Sequence, residues 1–438
     1  MEIPIKMKVA MNSMKYKDDL YDIFWKPFEG VPLEKPPKLS VGLFNIPCAG
    51  FGDVILCKSF YDCILQWYPG LNVSICTTTP QKYKALNVNA KFHKLHVKEN
   101  LKISKDDVSN ECRKFDEVYL KRKITFDIMI IVPIINREFD LKEFCSLIPY
   151  ADYSNTFTVS EYNGEYEPYT FPTGVGKGNL GMLFNQISLK PQKLIKGPYG
   201  LVYIQPQPEW GIHSKYCFLS FIEMICKKYH KKHPNFQVVI PDWITEDLQD
   251  DSQLRTKLKK AIYPYYGHVS LHNKEEIVDI FKVKTKGKLL FRGDILPKPR
   301  DIFVSLMKDS VPDILVTGDQ SITDVMSCCQ EKHIWYQVAP WKKDFAYHLS
   351  LELPLKYFQT FKTSCGKMGR IHYNANMKEF LKTQDFRING KSRMASILHS
   401  QMYFQKHKQF KEDIMNAILH SRYLDTAQAK IDSIIDRL

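Results

Sequence analysis

The sequence has no long apolar run and no disulfide-type cysteine pattern, and each absence excludes a class of protein. No hydrophobic stretch approaches the roughly 20 residues that a transmembrane helix needs. The first residues, MEIPIKMKVAMNSMKYKDD, lack the continuous apolar block of a secretion signal. The 11 cysteines are an odd number, and several lie within apolar segments. This usage favours reduced, packed thiols, so we expect a cytoplasmic, reducing location.

Several motifs that would assign a chemistry are also missing. The glycine-rich stretch FPTGVGKGNLG at 171–181 lacks the glycine spacing of a Walker phosphate loop, and Lys177 is followed by glycine rather than Ser or Thr. Gly50-Phe51-Gly52 does not continue into a complete G-x-G-x-x-G dinucleotide fingerprint. His230 and His233 have no Cys or carboxylate at zinc spacing. No Asp-x-Asp occurs, so we expect neither a metal nor a bound cofactor.

The composition is that of a soluble globular protein with an excess of positive charge. A chain of 438 residues, 44% hydrophobic and 25% charged, favours two domains around two cores. The 62 Lys and Arg residues against 48 Asp and Glu give a net charge of +14. This charge suits nucleotides, phosphates or an anionic membrane surface to which the protein binds peripherally, although a basic surface without a function explains it equally well. No zinc-finger, RRM or basic-zipper pattern accompanies it, so nucleic acid is not the expected partner.

The most informative segment is Leu43–Cys76, which reads strand, glycine turn, helix, strand. Apolar residues before Pro47 predict a strand, and residues at helical spacing from Val54 onwards predict a helix. Pro69-Gly70 ends that helix, and alternation after it predicts a second strand. This is the start of a βαβ unit, and it carries one carboxylate, Asp53, at the mouth of its first helix.

The rest of the chain alternates in the same way, which predicts an α/β fold with two Rossmann-like, doubly wound lobes facing each other across a cleft. Phe126–Ile135 is apolar on both faces, as in a buried parallel strand. A second series of strands and helices begins at Leu201. We predict four segments: an irregular lead-in at 1–38, an amino-terminal lobe at 39–180, a carboxy-terminal lobe at 200–370 and a helical extension at 371–438. The stretch 150–200, rich in Tyr, Pro and Gly, is predicted to be a connection with loops.

Two glycine–aspartate turns are the candidate sites. Asp53 follows a strand at the carboxyl edge of a parallel sheet, where ligands bind in such folds, and could act as a general base. The second turn, Thr317 to Ser321, places hydroxyl and amide groups at a helix start, which suits a phosphate. Both carboxylates could instead serve as ordinary helix caps. Lys215, next to Ser214 after the first strand of the second lobe, could neutralise a diphosphate, or could simply be a solvated lysine.

At these residues the chain resembles the lipopolysaccharide heptosyltransferases and, more loosely, the protein-arginine rhamnosyltransferases. The resemblance covers the layout of 39–350 and rests on Gly52-Asp53, Ser214-Lys215 and the 317–321 turn. It implies a GT-B glycosyltransferase that is inverting and metal-independent, with a nucleotide-diphosphate sugar as donor and an acceptor that is a carbohydrate, a lipid-linked group or a protein. After Lys215 the chain reads Tyr-Cys-Phe, without the family's tryptophan–proline.

The resemblance also implies roles for individual residues. Asp53 is the expected catalytic base, with Gly50 and Gly52 in the acceptor loop. The expected donor-binding residues are Ser214, Lys215, Arg292, Gly293, Asp294, Gly318, Asp319, Gln320 and Ser321. Two alternatives stay open. One is a GT-B-like binding or structural protein without catalysis, and the other is a different sugar-nucleotide enzyme, such as a pyruvyl transferase or an epimerase.

Overall fold

The computed structural model describes residues 38–47, 50–95, 126–133, 193–206, 213–283 and 287–337 as near-continuous stretches, with shorter pieces between 156 and 189 and between 342 and 433. The chain divides into two compact units. Unit 1 comprises residues 1–183 and 386–438, and unit 2 comprises residues 184–385. Within the described part of the chain, no helix is long and apolar enough to cross a membrane.

Unit 1 contains a parallel sheet of 6 strands in the order β3-β2-β1-β4-β5-β6. Two helices connect its first three strands. The elements in chain order are β1 (Ser40–Asn45), α1 (Gly52–Trp67), β2 (Asn72–Thr77), α2 (Pro80–Ala85), β3 (Lys91–Lys94), β4 (Ile128–Ile131), β5 (Thr156–Val159) and β6 (Thr170–Phe171). The strand order 3-2-1-4-5 is that of a doubly wound Rossmann fold, in which the chain reverses direction across the sheet between β1 and β4.

The core of unit 1 forms between this sheet and α1. Val54, Phe60 and Ile64 of α1 are completely buried, because apolar residues recur on the face of the helix that meets the strands. The central strands β1 and β4 are buried on both faces, as expected for a parallel sheet. Leu398 and Met402, from the carboxy-terminal segment, join the same core.

Unit 2 contains a sheet of 8 strands in the order β10-β9-β11-β8-β7-β12-β13-β14. Its six inner strands are parallel, and the two edge strands pair antiparallel. The strands are β7 (Tyr199–Tyr203), β8 (Asn235–Val239), β9 (Tyr266–His272), β10 (Ile277–Lys282), β11 (Gly287–Arg292), β12 (Asp313–Thr317), β13 (His333–Gln337) and β14 (Ile371–Asn376). The helices are α3 (His213–Tyr229), α4 (Asp242–Asp250), α5 (Ser252–Ile262), α6 (Arg300–Asp309) and α7 (Asp319–Cys328).

The predicted α/β class with two doubly wound sheets is confirmed, and the differences are local. Residues 150–200 contain the strands β5 and β6, which were predicted as loops. The apolar strand predicted at Phe126–Ile135 is shorter, Ile128–Ile131, and ends before Pro133, a residue that lacks the N–H of a strand ladder. Residues 371–376, predicted as the start of a helical extension, form strand β14, which pairs with β13. Most of the remaining extension lies outside the described residues.

In each sheet the first strand has later strands on both sides, so the chain reverses direction across the sheet beside it. Ligands of doubly wound folds bind at the carboxyl ends of the strands at such a point. In unit 1 the reversal lies between β1 and β4, and α1 with Asp53 follows β1. In unit 2 it lies between β7 and β12, and α7 with Asp319 follows β12. Both predicted Gly-Asp turns therefore lie at the reversal point of their own sheet.

Candidate functional site

In unit 1 the candidate site is the turn between β1 and α1. Asp53 lies in the first turn of α1 and is partly buried. A carboxylate at this position is favoured by the positive end of the helix dipole. The N-cap residue is Phe51, whose side chain is 45% exposed, and no side chain caps the helix. Asp53 thus contributes charge to the edge of the sheet without acting as the N-cap.

A buried polar network holds this first turn of α1. Asn45, the last residue of β1, is completely buried. Its Nδ2 donates to the carbonyl oxygen of Val132, 2.6 Å away at the end of β4, and lies 3.4 Å from the carbonyl oxygen of Asp53. The hydroxyl of Tyr83, from α2, donates to Asn45 Oδ1 at 2.7 Å. Asn45 therefore joins the ends of β1 and β4 to α1 and α2 at the reversal point.

The pKa shifts around Asp53 show that its charge acts on this network. Burial, together with the nearby negative charge of Asp53, raises the pKa of the Cys57 thiol to about 12. Burial is also the main reason that the pKa of Tyr83 lies well above its ordinary value; the neighbouring Cys57 thiol raises it further, and the charge of Asp53 adds the smallest contribution. Tyr83 is therefore a neutral hydrogen-bond donor at physiological pH, and Cys57 is an unreactive thiol.

The two glycines predicted for the acceptor loop, Gly50 and Gly52, leave open space at this turn. A Cβ atom added to Gly50 or Gly52 would meet no other atom within 4 Å. The carbonyl oxygen of Gly50 accepts a hydrogen bond from Lys82 Nζ at 3.3 Å, which ties the β1–α1 turn to the β2–α2 segment. The glycines therefore keep side chains away from the approach to Asp53.

In unit 2 the carboxyl ends of three adjacent strands are joined by a second buried network. Ser214 Oγ, at the start of α3, donates to the carbonyl oxygen of Gln205 at 2.9 Å and accepts from Gln337 Nε2 at 3.0 Å. Gln337 Oε1 accepts from the Gln205 backbone N–H at 3.1 Å. Thr317 Oγ1 donates to the Gln337 carbonyl oxygen at 2.9 Å. The Ser214 hydroxyl both donates and accepts within this network. Its contacts therefore hold the carboxyl ends of the strands in place.

The Gly318–Ser321 turn begins α7, and its side chains pair with residues that the sequence does not indicate. Gly318 has φ +81°, a conformation that favours glycine, and space beside it is open. Asp319 Oδ2 accepts from Lys342 Nζ at 2.7 Å, and the Lys342 side chain is only 5% exposed. Gln320 Nε2 donates to Asp324 Oδ1 at 2.7 Å. Ser321 is 9% exposed.

Asp324 links this turn to the next helix. It is 2% exposed and is held by the guanidinium of Arg300, whose Nε donates to Oδ2 at 3.0 Å and whose second nitrogen contacts Oδ1. A planar guanidinium facing a carboxylate in this way is a strong and geometrically specific pair. The pair fixes the start of α6 against the middle of α7.

Lys215, predicted to bind the donor, forms ion pairs with two carboxylates of its own unit. Its Nζ lies 2.9 Å from Asp251 Oδ2 and 3.2 Å from Asp247 Oδ2, at the junction of α4 and α5. The hydrogen bond that Lys215 donates to Asp251 raises the pKa of the lysine, while burial opposes the rise. The two carboxylates compensate the charge of Lys215. Asp251 also caps α5, and the hydrogen bonds of the cap and of Lys215 lower its pKa, so it remains ionised. These contacts do not join Lys215 to the Gly318–Ser321 turn.

The predicted trio at the end of β11 forms a cluster of its own. The Arg292 guanidinium donates to both carboxylate oxygens of Asp294 at 2.7 Å and to Gln237 Oε1 at 3.0 Å. Burial alone would raise the pKa of Asp294, but the hydrogen bonds and charge of Arg292 lower it below its usual value. A Cβ atom on Gly293 would lie 2.1 Å from Thr245 Oγ1, so packing requires this glycine. Strand β8 separates β11 from β7 in the sheet, so the cluster is not adjacent to the reversal point.

The residues of these sites that were missed from the sequence include Asn45, Tyr83, Gln337 and Lys342. Asn45 carried a usable signal, because a polar residue that ends an apolar strand before a glycine turn lies at the ligand-binding edge of a parallel sheet. Lys342 carried none, since it is one of two neighbouring lysines that follow a tryptophan in the sequence. Among the residues that the structure describes, no group of three or more His, Cys, Asp or Glu is arranged to hold a metal ion.

Comparisons with known proteins find similar structures but no related sequence. No protein-family model matches the chain, and no curated protein matches it significantly. A glycosyltransferase from Rickettsia africae ESF-5 is 12% identical, with 88% of this chain and 100% of that chain covered and a TM-score of 0.39. A glycosyl transferase of family 9 from Veillonella parvula DSM 2008 is 10% identical, with 69% and 81% covered and a TM-score of 0.35. The glycotransferase of kitacinnamycin is 8% identical, with 84% and 100% covered and a TM-score of 0.46. These values do not establish a common function.

Proposed function

We propose that this protein is a glycosyltransferase of the GT-B type, which moves a sugar from a nucleotide-diphosphate donor to a nucleophilic acceptor. One observation carries the proposal: a Gly-Asp turn opens a helix at the reversal point of the parallel sheet in each unit. In doubly wound folds this is the place where ligands bind. Unit 1 would bind the acceptor and unit 2 the nucleotide sugar.

In unit 1, Asp53 is the proposed general base of an inverting transfer. Its carboxylate takes the proton of the acceptor as the acceptor oxygen forms a bond to the anomeric carbon of the sugar. The bond from that carbon to the diphosphate oxygen breaks, and the diphosphate leaves with the electron pair. The turn suits this role because Asp53 is partly exposed, and Asn45 and Tyr83 hold the backbone that carries it.

In unit 2, the start of α7 is the proposed site of the leaving diphosphate, where positive charge stabilises the developing anion without a metal. The first backbone N–H groups of a helix have no partner within the helix, and the dipole favours an anion there. Lys342 brings a buried ammonium group to this turn, and Gly318 leaves room for a phosphate. Lys342 compensates the Asp319 carboxylate, which would otherwise repel a diphosphate at this turn. Ser321 and Gln320 would supply hydrogen bonds.

Isothermal titration with a panel of nucleoside diphosphates and nucleotide sugars tests the donor site. Ser321→Ala removes a hydroxyl from the first turn of α7, and Ser327→Ala removes one from the same helix, where it donates to the Thr323 carbonyl oxygen. A hydrogen bond to a charged group contributes about 1.5–3 kcal/mol, so Ser321→Ala should weaken binding about 10- to 100-fold. Ser327→Ala should bind as the wild type does. Failure of every nucleotide to bind would overturn the donor site.

The same panel separates the two alternatives once a donor is known. A protein that binds nucleotide sugar and releases no nucleoside diphosphate with any acceptor would be a binding protein. One that converts the donor in the absence of an acceptor would be an epimerase. The proposed transferase releases nucleoside diphosphate at a rate that depends on the acceptor.

A further inference from the structure

The segment after β2 carries two threonine hydroxyls that the fold does not use. The Oγ1 atoms of Thr78 and Thr79 are buried, and neither has a hydrogen-bond partner among the described residues. Thr79 as a whole is only 5% exposed. A buried polar atom without a partner costs about 1–3 kcal/mol, and native structures contain few of them. An unused pair at adjacent positions therefore calls for a ligand.

The position of Thr79 makes its unused hydroxyl more unexpected. Thr79 is the N-cap residue of α2, and a threonine there ordinarily accepts a hydrogen bond from a backbone N–H of the first turn. Its side chain makes no such bond. Instead, the Lys82 backbone N–H donates to the Thr79 carbonyl oxygen at 3.1 Å, and Pro80 has no N–H to offer. The hydroxyl is thus left out of the cap.

These hydroxyls lie beside the loop of Asp53. Thr77, the residue before Thr78, pairs in register with Asn45 at the ends of the neighbouring parallel strands β2 and β1. Such strands are about 4.8 Å apart, so both chains leave the sheet side by side. Two side-chain bonds then join the segments: Tyr83 to Asn45, at 2.7 Å, and Lys82 Nζ to the Gly50 carbonyl oxygen, at 3.3 Å.

We propose that Thr78 and Thr79 bind the acceptor and that this acceptor is a carbohydrate presenting two neighbouring hydroxyl groups; the assignment of an acceptor rests on the proposed function. A threonine hydroxyl both donates and accepts a hydrogen bond, as a sugar hydroxyl does. Thr78 and Thr79 offer two such groups at consecutive positions of the chain. The negative charge of Asp53 in the next loop disfavours a phosphate at this position.

The exposed ring of Phe51 supports the choice of a sugar. Its side chain is 45% exposed and lies two residues before Asp53. An exposed aromatic face offers an apolar surface to the C–H groups of a sugar ring. The ammonium group of Lys82 lies over one face of this ring, 5.8 Å from its centre, so the proposed sugar would stack on the opposite face. The site thus combines hydroxyls, one aromatic face and a carboxylate.

The first test is the stability of Thr78→Val and Thr79→Val without any ligand. Valine has nearly the shape of threonine, so each change removes an unused hydroxyl and the melting temperature should stay the same or rise. The control for stability is Thr317→Val, which removes a buried hydroxyl that donates to the Gln337 carbonyl oxygen at 2.9 Å, and its melting temperature should fall. Thr256→Val, at an exposed position of α5, is the control for binding. A fall of several degrees in both Thr78→Val and Thr79→Val would show that the hydroxyls serve the fold, and would overturn the proposal.

The second test is binding of the methyl glycosides of glucose, galactose, mannose and N-acetylglucosamine, measured by saturation-transfer NMR on the full chain. We expect at least one glycoside to bind, and each valine variant at 78 or 79 to weaken that binding about tenfold, while Thr256→Val leaves it unchanged. Glucose 6-phosphate should bind less well than methyl glucoside. No glycoside binding at millimolar concentration, or equal binding by the variants, would overturn the inference.

These readouts are independent of sugar transfer. If glycosides bind through Thr78 and Thr79 but no donor is ever turned over, the carbohydrate site stands and the transferase proposal fails. If transfer occurs at the wild-type rate in both valine variants, the transferase proposal stands and the acceptor site lies elsewhere.

Discussion

The ion pair between Lys342 and Asp319 should respond unequally to the loss of its two partners. The Lys342 side chain is 5% exposed, whereas that of Asp319 is 23% exposed and lies in the first turn of α7. Asp319→Asn keeps the shape of the side chain but leaves a buried ammonium group without its counter-charge. Removing one partner of a buried pair costs about 3–5 kcal/mol, and we expect a cost near 3 kcal/mol.

Lys342→Met should cost less. It leaves a carboxylate that reaches solvent and that the dipole of α7 stabilises by about 0.3–1 kcal/mol. We therefore expect a loss of about 1–2 kcal/mol, from the packing and hydrogen bonds of the lysine. The double variant, with neither charge, should be more stable than Asp319→Asn alone, because no uncompensated charge remains buried.

Hydrogen exchange of the α7 peptide is the suitable assay, because a chain of two units does not unfold in one two-state step. A loss of 3 kcal/mol corresponds to an increase of more than about 100-fold in the opening of α7. Exchange in α1, which belongs to unit 1, should not change. If Lys342→Met opened α7 as much as Asp319→Asn does, or more, the argument from burial would be refuted.

Three further predictions concern single residues. Tyr83→Phe leaves Asn45 Oδ1 without its buried donor, and thermal unfolding should show a loss of about 1–3 kcal/mol; an unchanged melting temperature would contradict the network. Gly293→Ala should lower the melting temperature, because the added Cβ atom would lie 2.1 Å from Thr245 Oγ1. Thr245→Ala in the same chain should restore part of the lost melting temperature. An equal loss of melting temperature with and without Thr245→Ala would rule out this contact as the cause. Burial lowers the pKa of Lys332 from 10.5 to about 8, so between these pH values the unfolded chain binds more protons than the folded chain. As pH rises through this range, the free energy of unfolding of the wild type should increase by about 3 kcal/mol relative to that of Lys332→Met, measured by urea unfolding at each pH. A constant difference between the two proteins would disprove the shift.

The regular parts of the fold were predictable because their signals are local. The turn at Gly50–Asp53, the apolar periodicity after it and Pro69-Gly70 together predict β1, α1 and β2, and the structure has all three elements. Strands β5 and β6 were missed because they have only 4 and 2 residues and lie in a stretch whose Tyr, Pro and Gly content resembles a loop.

The contacts within the candidate sites were less predictable, because they join distant parts of the chain. Lys215 follows a strand and precedes a helix, which suggested a phosphate contact, yet its partner Asp251 comes 36 residues later and no local pattern indicates it. The same holds for Gln337, which reaches Ser214 across 123 residues. The positions of Asp53 and Asp319 were predictable because the carboxyl ends of parallel strands always share one edge of a sheet.

The central claim is that Asp53 removes the proton of the acceptor. The most direct measurement is the release of nucleoside diphosphate from a bound nucleotide sugar in the presence of a glycoside acceptor, by the wild type and by Asp53→Asn. A general base contributes about 10²- to 10⁴-fold, so Asp53→Asn should lower kcat by that factor while the Kd of the donor stays the same. An Asp53→Asn variant that transfers sugar at the wild-type rate would contradict the account.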